Sequence, residues 1–366
     1  MSDAPLPAWM IYGATGYTGE LMAREAVRRG LRPVLAGRDA AKVQGLAAEL
    51  GLESRVFAVS PTVPAGALVG MTLVLHCAGP FSATSAAMLQ ACLAARAHYL
   101  DITGEIDVFE RAHALDAAAR AAGIVVCPGV GFDVVPSDCL AASLKAALPS
   151  ATHLALGFMG GGGFSRGTAK TMAEGFGYGG RVRRAGVITP VPLAYRSRKI
   201  DFGDGSGPLH AVTIPWGDVS TAYFSTGIPE IEVYLPMSPG RKKALARMNW
   251  FRPLLRLGVV QRFMKKRIDA QPPGPTAEQR ATTKSHLWGE VRDAAGRVVT
   301  GHLVVATGYT VTVLAGLGIA ERLLRGPVPV PGATTPSRLM GADYAASLAG
   351  SEAVRLTVVA TGTRGG

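Results

Sequence analysis

The sequence predicts an α/β fold: a doubly wound parallel sheet at the N-terminus, then a second, mixed α/β domain around a largely antiparallel sheet. Three observations predict it. A glycine-rich turn joins a short apolar run, Ala8 to Ile11, to a helical pattern carried by Leu21, Met22, Ala23, Ala26 and Val27. Short apolar runs then alternate with helical patterns as far as Cys127, the grammar of parallel strands joined by right-handed crossovers. Beyond Pro128 the strands lengthen and alternate in polarity, as a half-exposed antiparallel sheet requires. The chain therefore divides into a first domain at 1–132 and a second at 133–308, with helices near 309–350 packing back on the first.

The first strand runs into Gly13-Ala14-Thr15-Gly16-Tyr17-Thr18-Gly19. Gly13 permits a tight turn, Gly16 lets backbone approach a pyrophosphate, and Gly19 lets the next helix pack against the strand. That helix aims its N–H groups and positive dipole end at the anion. The first gap is one residue longer than in G-x-G-x-x-G, but strand, turn and helix stand in the order of a Rossmann-type site. Gly13, Thr15, Gly16, Tyr17, Thr18 and Gly19 are assigned to a dinucleotide. The second strand, Val34 to Ala36, ends in Gly37-Arg38, where an NAD site carries an acid for the ribose 2′-OH. Asp39 reads as the N-cap of a helix over 39–50. Arg38, supported by Lys42 one turn on, can clamp a 2′-phosphate; the alternative is a solvated surface arginine. The predicted cofactor is NADP(H).

Strands at Arg55 to Ala58 and Leu73 to Cys77 follow, then a helix over 83–96, a strand at Tyr99 to Ile102, a helix over 105–122 and a strand at Ile124 to Cys127. Ala78, Gly79, Pro80 and Phe81 end a strand at the sheet's carboxyl edge, where nucleotides bind. Gly79 allows close approach and Pro80-Phe81 would wall the ribose or nicotinamide; otherwise the segment is a plain strand-to-helix turn. Tyr99 and Asp101 either face the nicotinamide, with Tyr99 as proton donor and Gly104 beside the cofactor, or Thr103 or Asp101 caps the helix near Glu105. Asp133 either orients substrate or binds backbone N–H groups in a turn. Tyr99, Asp101 and Asp133 are the catalytic candidates.

In the second domain the predicted strands are Thr152 to Met159, Leu209 to Pro215, Ile228 to Leu235, His286 to Arg292 and Val298 to Thr307, with a hairpin turn at Asp293 to Gly296. The run Gly160 to Gly163 with Ser165-Arg166-Gly167-Thr168 either cradles the acyl or phosphopantetheine end of a substrate or is a flexible loop. Gly203 to Gly207 and Gln271 to Pro275 read as loops.

Cys77, Cys92, Cys127 and Cys139 lie in apolar surroundings without C-x-x-C spacing, and the seven histidines are dispersed. No metal site or disulfide framework is expected, His76 reads as core, and a reducing cytoplasm suits the thiols. No basic leader precedes an apolar core, so no signal peptide is expected. Leu303 to Ala320 is eighteen uncharged residues long, near the lower limit for a membrane span. Its glycines and threonines predict instead a buried strand running into a buried helix. Of a net charge of +12, ten positive charges lie between Arg241 and Ile268, which has no acid. The rest of the chain is near neutral, which argues against a nucleic-acid binder. The helical segment 239–268, interrupted by Pro253, is a solvated basic face, a dock for an acidic acyl carrier protein, or a surface lying on an anionic membrane.

Gly13-Ala-Thr-Gly16-Tyr-Thr-Gly19, Cys77-Ala-Gly-Pro80-Phe81, Tyr99-Leu-Asp101-Ile-Thr-Gly104-Glu105, Gly129-Val-Gly131-Phe132-Asp133-Val-Val-Pro136-Ser137-Asp138, Ser165-Arg166-Gly167-Thr168 and Thr335-Pro336 occur in that order. Together they resemble the saccharopine dehydrogenase-like oxidoreductases over nearly the whole chain. The likeness is greater to bacterial members described as trans-acting enoyl reductases than to lysine-pathway enzymes. It implies NADPH-dependent reduction of an activated C=C bond on a polyketide or lipid acyl chain, in a cytoplasmic enzyme of lipid metabolism; the second domain is read as a substrate or dimerisation domain, which leaves a homodimer open. One rival is an imine-reducing amino-acid dehydrogenase of the saccharopine type, which needs arginines for carboxylates, such as Arg166, Arg181, Arg183 and Arg184. The other is a non-catalytic NADP-binding scaffold or lipid-surface protein.

Overall fold

The computed structural model describes residues 6–160, 175, 177–255, 257–270, 274, 276–327 and 330–359. The Ser165–Thr168 motif with Arg166, the glycines at 161–163 and most of 271–275 lie outside the described residues. The chain divides into two compact units, Met1–Asp133 with Tyr309–Leu339, and Val134–Gly308 with Met340–Gly366. The segment that goes with the first unit thus ends at Leu339, short of residue 350.

The first unit is built on a seven-stranded sheet. Its strands are β1 (Trp9–Tyr12), β2 (Val34–Gly37), β3 (Ser54–Val56), β4 (Leu73–His76), β5 (His98–Asp101) and β6 (Val125–Cys127), with a short strand at Gly332–Ala333 beside β6. Every pair is parallel, and the order from one edge is Gly332–Ala333, β6, β5, β4, β1, β2, β3. This is the doubly wound arrangement, with the order reversing at β1 and β4. Residues of β1, β2 and β4 are buried throughout, which is why they read as unbroken apolar runs. The connecting helices are α1 (Tyr17–Arg28), α2 (Ala40–Leu50), α3 (Phe81–Ala95), α4 (Ile106–Ala114) and α5 (Asp116–Ala122). The single helix expected over 105–122 is therefore two. Asp116 opens the second, accepting a hydrogen bond from the Ala333 nitrogen at 2.8 Å while pairing with Arg120 at 2.8 Å. A helix at Gly308–Arg325 returns, all but its first residue, to this unit.

The second unit carries a nine-stranded sheet. Its strands are β7 (Ala151–Gly160), β8 (Gly180–Arg184), β9 (Val187–Val191), β10 (Ser197–Ile200), β11 (Leu209–Thr213), β12 (Glu230–Pro236), β13 (Lys284–Asp293), β14 (Val298–Ala306) and a C-terminal strand at Arg355–Val359. The sheet is antiparallel apart from the β12–β7 pair, which is parallel. β13 and β14 form the expected hairpin, in register from Lys284–Ala306 to Arg292–Val298. The strands at 180–200 were not among those expected. A helix α6 (Val135–Ala147) lies against β13 and β14 where side chains are missing: a Cβ on Gly289 would come within 2.5 Å of Leu144, and one on Gly301 within 3.0 Å of Leu140. A further helix, α7 (Asp218–Thr226), packs on α6. The basic segment forms α8 (Pro239–Leu255) and α9 (Gly258–Asp269). The uncharged run from Leu303 splits between β14 and the Gly308–Arg325 helix. Among the described residues no helix is long and apolar enough to cross a membrane.

Candidate active site

The turn after β1 has the form of a phosphate cradle. Gly13 sits at φ 82°, and a Cβ there would lie 2.7 Å from the Ala78 nitrogen, so both backbone and space exclude a side chain. The Gly13 and Ala14 nitrogens donate to the Ala36 carbonyl at 2.8 and 3.1 Å, which ties the turn to β2. A Cβ on Gly19 would fall 2.2 Å from the Gly13 oxygen, so α1 meets the turn as closely as backbone allows. Gly16 is exposed and N-caps α1 without a capping side chain, leaving the positive end of the helix dipole to an anion. Thr15, Tyr17 and Thr18 are half-buried on the same turn. Tyr17 meets the edge of Tyr309, with ring centres 5.0 Å apart. Tyr309 lies 292 positions away in sequence and escaped the sequence reading.

Arg38 stands exposed at the end of β2 and makes no hydrogen bond or ion pair among the described residues. Asp39 is occupied otherwise: its carboxylate caps α2 by accepting from the Lys42 nitrogen at 3.2 Å, and it pairs with Lys42 Nζ at 3.2 Å. Lys42 is thus held by Asp39. No acid at this strand end is left for a ribose 2′-OH, whereas Arg38 can meet a 2′-phosphate. The residues present fit NADP(H): the Gly13–Gly19 backbone and the exposed Arg38 are the groups that could hold it.

The start of α3 differs from that of α1. The Glu105 carboxylate accepts from the Phe81 and Ser82 nitrogens at 2.8 and 2.7 Å, so a protein anion already occupies this helix end. Phe81 turns inward, edge-on to His76 at 5.3 Å and 7% exposed. That departs from the expectation that its ring walls the cofactor: the apolar ring is drawn into the core. Ala78, Gly79 and Pro80 keep the accessible edge. His76 is core as expected, its imidazole pushed down to about 3 by burial and bonded to Thr84 Oγ1 at 3.0 Å.

Tyr99 and Asp101 are fully buried. The Tyr99 hydroxyl donates to Asp101 Oδ2 at 2.7 Å, while Oδ1 accepts from the Thr103 and Gly129 nitrogens at 3.0 and 2.8 Å. Burial raises the Asp101 carboxyl to about 6 against the pull of these three bonds, and burial with the Asp101 charge raises the Tyr99 hydroxyl well above its ordinary value. The pair clamps the loops after β5 and β6 together, and the Tyr99 proton is directed at Asp101. The helix that follows has Glu105 at its N-cap with no capping side-chain hydrogen bond, so neither Asp101 nor Thr103 caps it.

Asp133 is placed differently. The loop that carries it is anchored by Asp101, whose carbonyl also accepts from the Val130 nitrogen at 2.7 Å, and by Thr312 Oγ1, which accepts from the Phe132 nitrogen at 3.0 Å. Its side chain lies over Gly104, where a Cβ would come 3.0 Å from Asp133 Oδ2. Asp133 is half-buried, has no hydrogen-bond partner among the described residues, and burial pushes its carboxyl up to about 7. A carboxylic acid that is partly protonated at neutral pH has the chemistry to donate a proton.

In the second unit Arg183 is 3% exposed, donating to the Val219 and Gly186 carbonyls at 2.8 and 2.6 Å beneath the Tyr223 ring. Arg184 bonds the Tyr195 hydroxyl. These arginines hold their own unit together.

The saccharopine dehydrogenase NADP-binding domain matches residues 9–127. Two Mycobacterium tuberculosis proteins with trans-acting enoyl reductase in their names are 31% identical over 191 residues and 33% over 147, covering 45% and 35% of this chain. An Arabidopsis thaliana saccharopine dehydrogenase-like oxidoreductase is 27% identical over 160 residues, or 37% of the chain. The matches span 43%, 33% and 34% of those relatives' lengths. The fold is similar to that of the apo saccharopine dehydrogenase (L-Glu forming) of Saccharomyces cerevisiae, with a TM-score of 0.64, 11% identity, and 97% of this chain and 100% of that one covered. Residues 9–127 thus form an NADP-binding domain of the saccharopine dehydrogenase type, and the cofactor of that domain is NADP(H).

Proposed function

We propose that this protein is an NADPH-dependent reductase of an activated carbon–carbon double bond in an acyl thioester, with Asp133 as the acid. The observation that carries the reading is the Asp133 carboxyl: half-buried, without a partner among the described residues and raised to about 7. When bound, NADPH supplies the hydride. The chain's part is to saturate the other carbon. Protonated Asp133 gives its proton to the carbon next to the thioester carbonyl, is left as a carboxylate, and regains a proton from solvent through its exposed side. The Asp101 clamp and Thr312 hold the Asp133 loop in place. The names of the mycobacterial relatives support an acyl chain brought in from elsewhere, on an acyl carrier protein. An amino-acid substrate fits less well, because Arg183 is committed to backbone carbonyls.

The test is turnover of NADPH with an enoyl thioester. Asp133→Asn should lower kcat by about 10²–10⁴-fold and leave NADPH affinity unchanged, and wild-type kcat should decline above pH 7 as the acid ionises. Native turnover by the variant moves the acid elsewhere. NADPH binding without any turnover makes the chain a scaffold.

A further inference from the structure

We propose that the outer faces of α8 and α9 form a docking surface for an anionic lipid bilayer. The inner face of α8 is fixed within its own unit. Asn249 exchanges hydrogen bonds with the Leu193 backbone at 2.8 and 3.2 Å, Arg252 donates to the Tyr178 carbonyl at 2.7 Å, and Lys242 donates to Ser197 Oγ at 2.7 Å. With those residues facing in, Lys243, Arg247, Trp250, Phe251 and Leu254 face out, recurring at the three- and four-residue spacing of one helical face. On α9 Val259, Arg262, Phe263, Lys266 and Arg267 are exposed, and Leu257 is exposed in the link between the helices. Trp250 is 88% exposed and Val259 69%.

Large apolar side chains standing in water between cations need a reason. A solvated basic helix explains the lysines and arginines but not Trp250, Phe251 and Phe263. A bilayer interface explains both: aromatic rings settle at headgroup depth while Lys and Arg meet anionic headgroups. The segment Arg241–Ile268 has ten cations and no acid, so nothing in it repels lipid phosphates. The proposal does not rest on the reductase reading, since binding is measured without turnover.

The experiment is sedimentation of the full chain with phosphatidylcholine vesicles, alone or containing phosphatidylglycerol. The protein should pellet with the anionic vesicles only, and added salt should release it. Tryptophan emission should shift to shorter wavelength on binding, and Trp250→Phe should abolish that shift, because Trp9 and Trp288 are buried and Trp216, which lies on neither helix, is half-buried against the Phe158 ring. Reversing Lys243, Arg247, Arg262 and Lys266 to Glu should weaken binding by about tenfold or more with an unchanged melting temperature. Trp250→Ser with Phe263→Ser should weaken it similarly without changing the charge. Failure of the wild-type protein to pellet, or equal pelleting with neutral vesicles, overturns the proposal. So does tight binding of an acidic carrier protein by a chain that ignores vesicles, which makes the surface a protein dock.

Discussion

A carboxyl group that holds its proton near pH 7 weakens the fold that raises it, and Asp133 should show this. Its value is raised from 3.8 to about 7 by burial, so the folded chain binds the proton more tightly than the unfolded one. Stability is then unaffected below about pH 4, declines as pH rises to 7, and is lowest above it. Asp133→Asn should therefore stabilise the protein at pH 8, by on the order of 1 kcal/mol, and leave it unchanged at pH 4, while removing activity. Denaturant titrations at the two pH values check this; an equal effect at both means that ionisation is not the cause. Arg38 gives a second prediction. Its truncation to alanine should weaken NADPH by roughly 1.5–3 kcal/mol and NADH hardly at all; calorimetry with both nucleotides decides, and equal losses place the 2′-phosphate elsewhere. The sequence revealed these residues unequally. Asp39 was readable as a cap because its donor, Lys42, is three residues away. Asp133 left two readings open, since its neighbour Gly104 and its anchor Thr312 belong to distant segments.

Among the elements, the contrast between α1 and α3 is testable. Both begin at turns after parallel strands, but only α3 has its first N–H groups held by a carboxylate. Glu105→Ala should lower stability by about 1–2 kcal/mol, read as a lower melting temperature, with Glu105→Gln losing less. No loss would mean that water caps α3 equally well. The capping residue lies 24 positions after Phe81, the first residue of its helix, outside any local pattern, so the sequence could not display it. The central strands were legible because burial on both faces leaves an apolar run. The break between α4 and α5 was not, because it depends on Asp116 reaching Ala333, 217 positions on. The strand Gly180–Arg184 was hidden by its arginines, which read as solvated until Arg183 is seen under an aromatic ring.

At the scale of the whole molecule, each unit is completed by residues from the far end of the chain. The first needs Tyr309–Leu339, which brings the short strand beside β6, the Thr312 anchor and the buried Val311, Leu317 and Ile319. The second needs the strand Arg355–Val359 on β14. A chain stopped after Gly308 should accordingly lose cooperative unfolding and nucleotide affinity together; retention of both would show that the returning segment is dispensable. The interleaving also bears on how the protein is made. On a ribosome the glycine turn and all of β1–β6 emerge early, yet their last sheet neighbour is more than two hundred residues behind. During that interval the nascent first unit presents an open edge at β6 and a loop without its Thr312 anchor. The growing polypeptide is therefore exposed to misassembly and to chaperone capture for most of its synthesis.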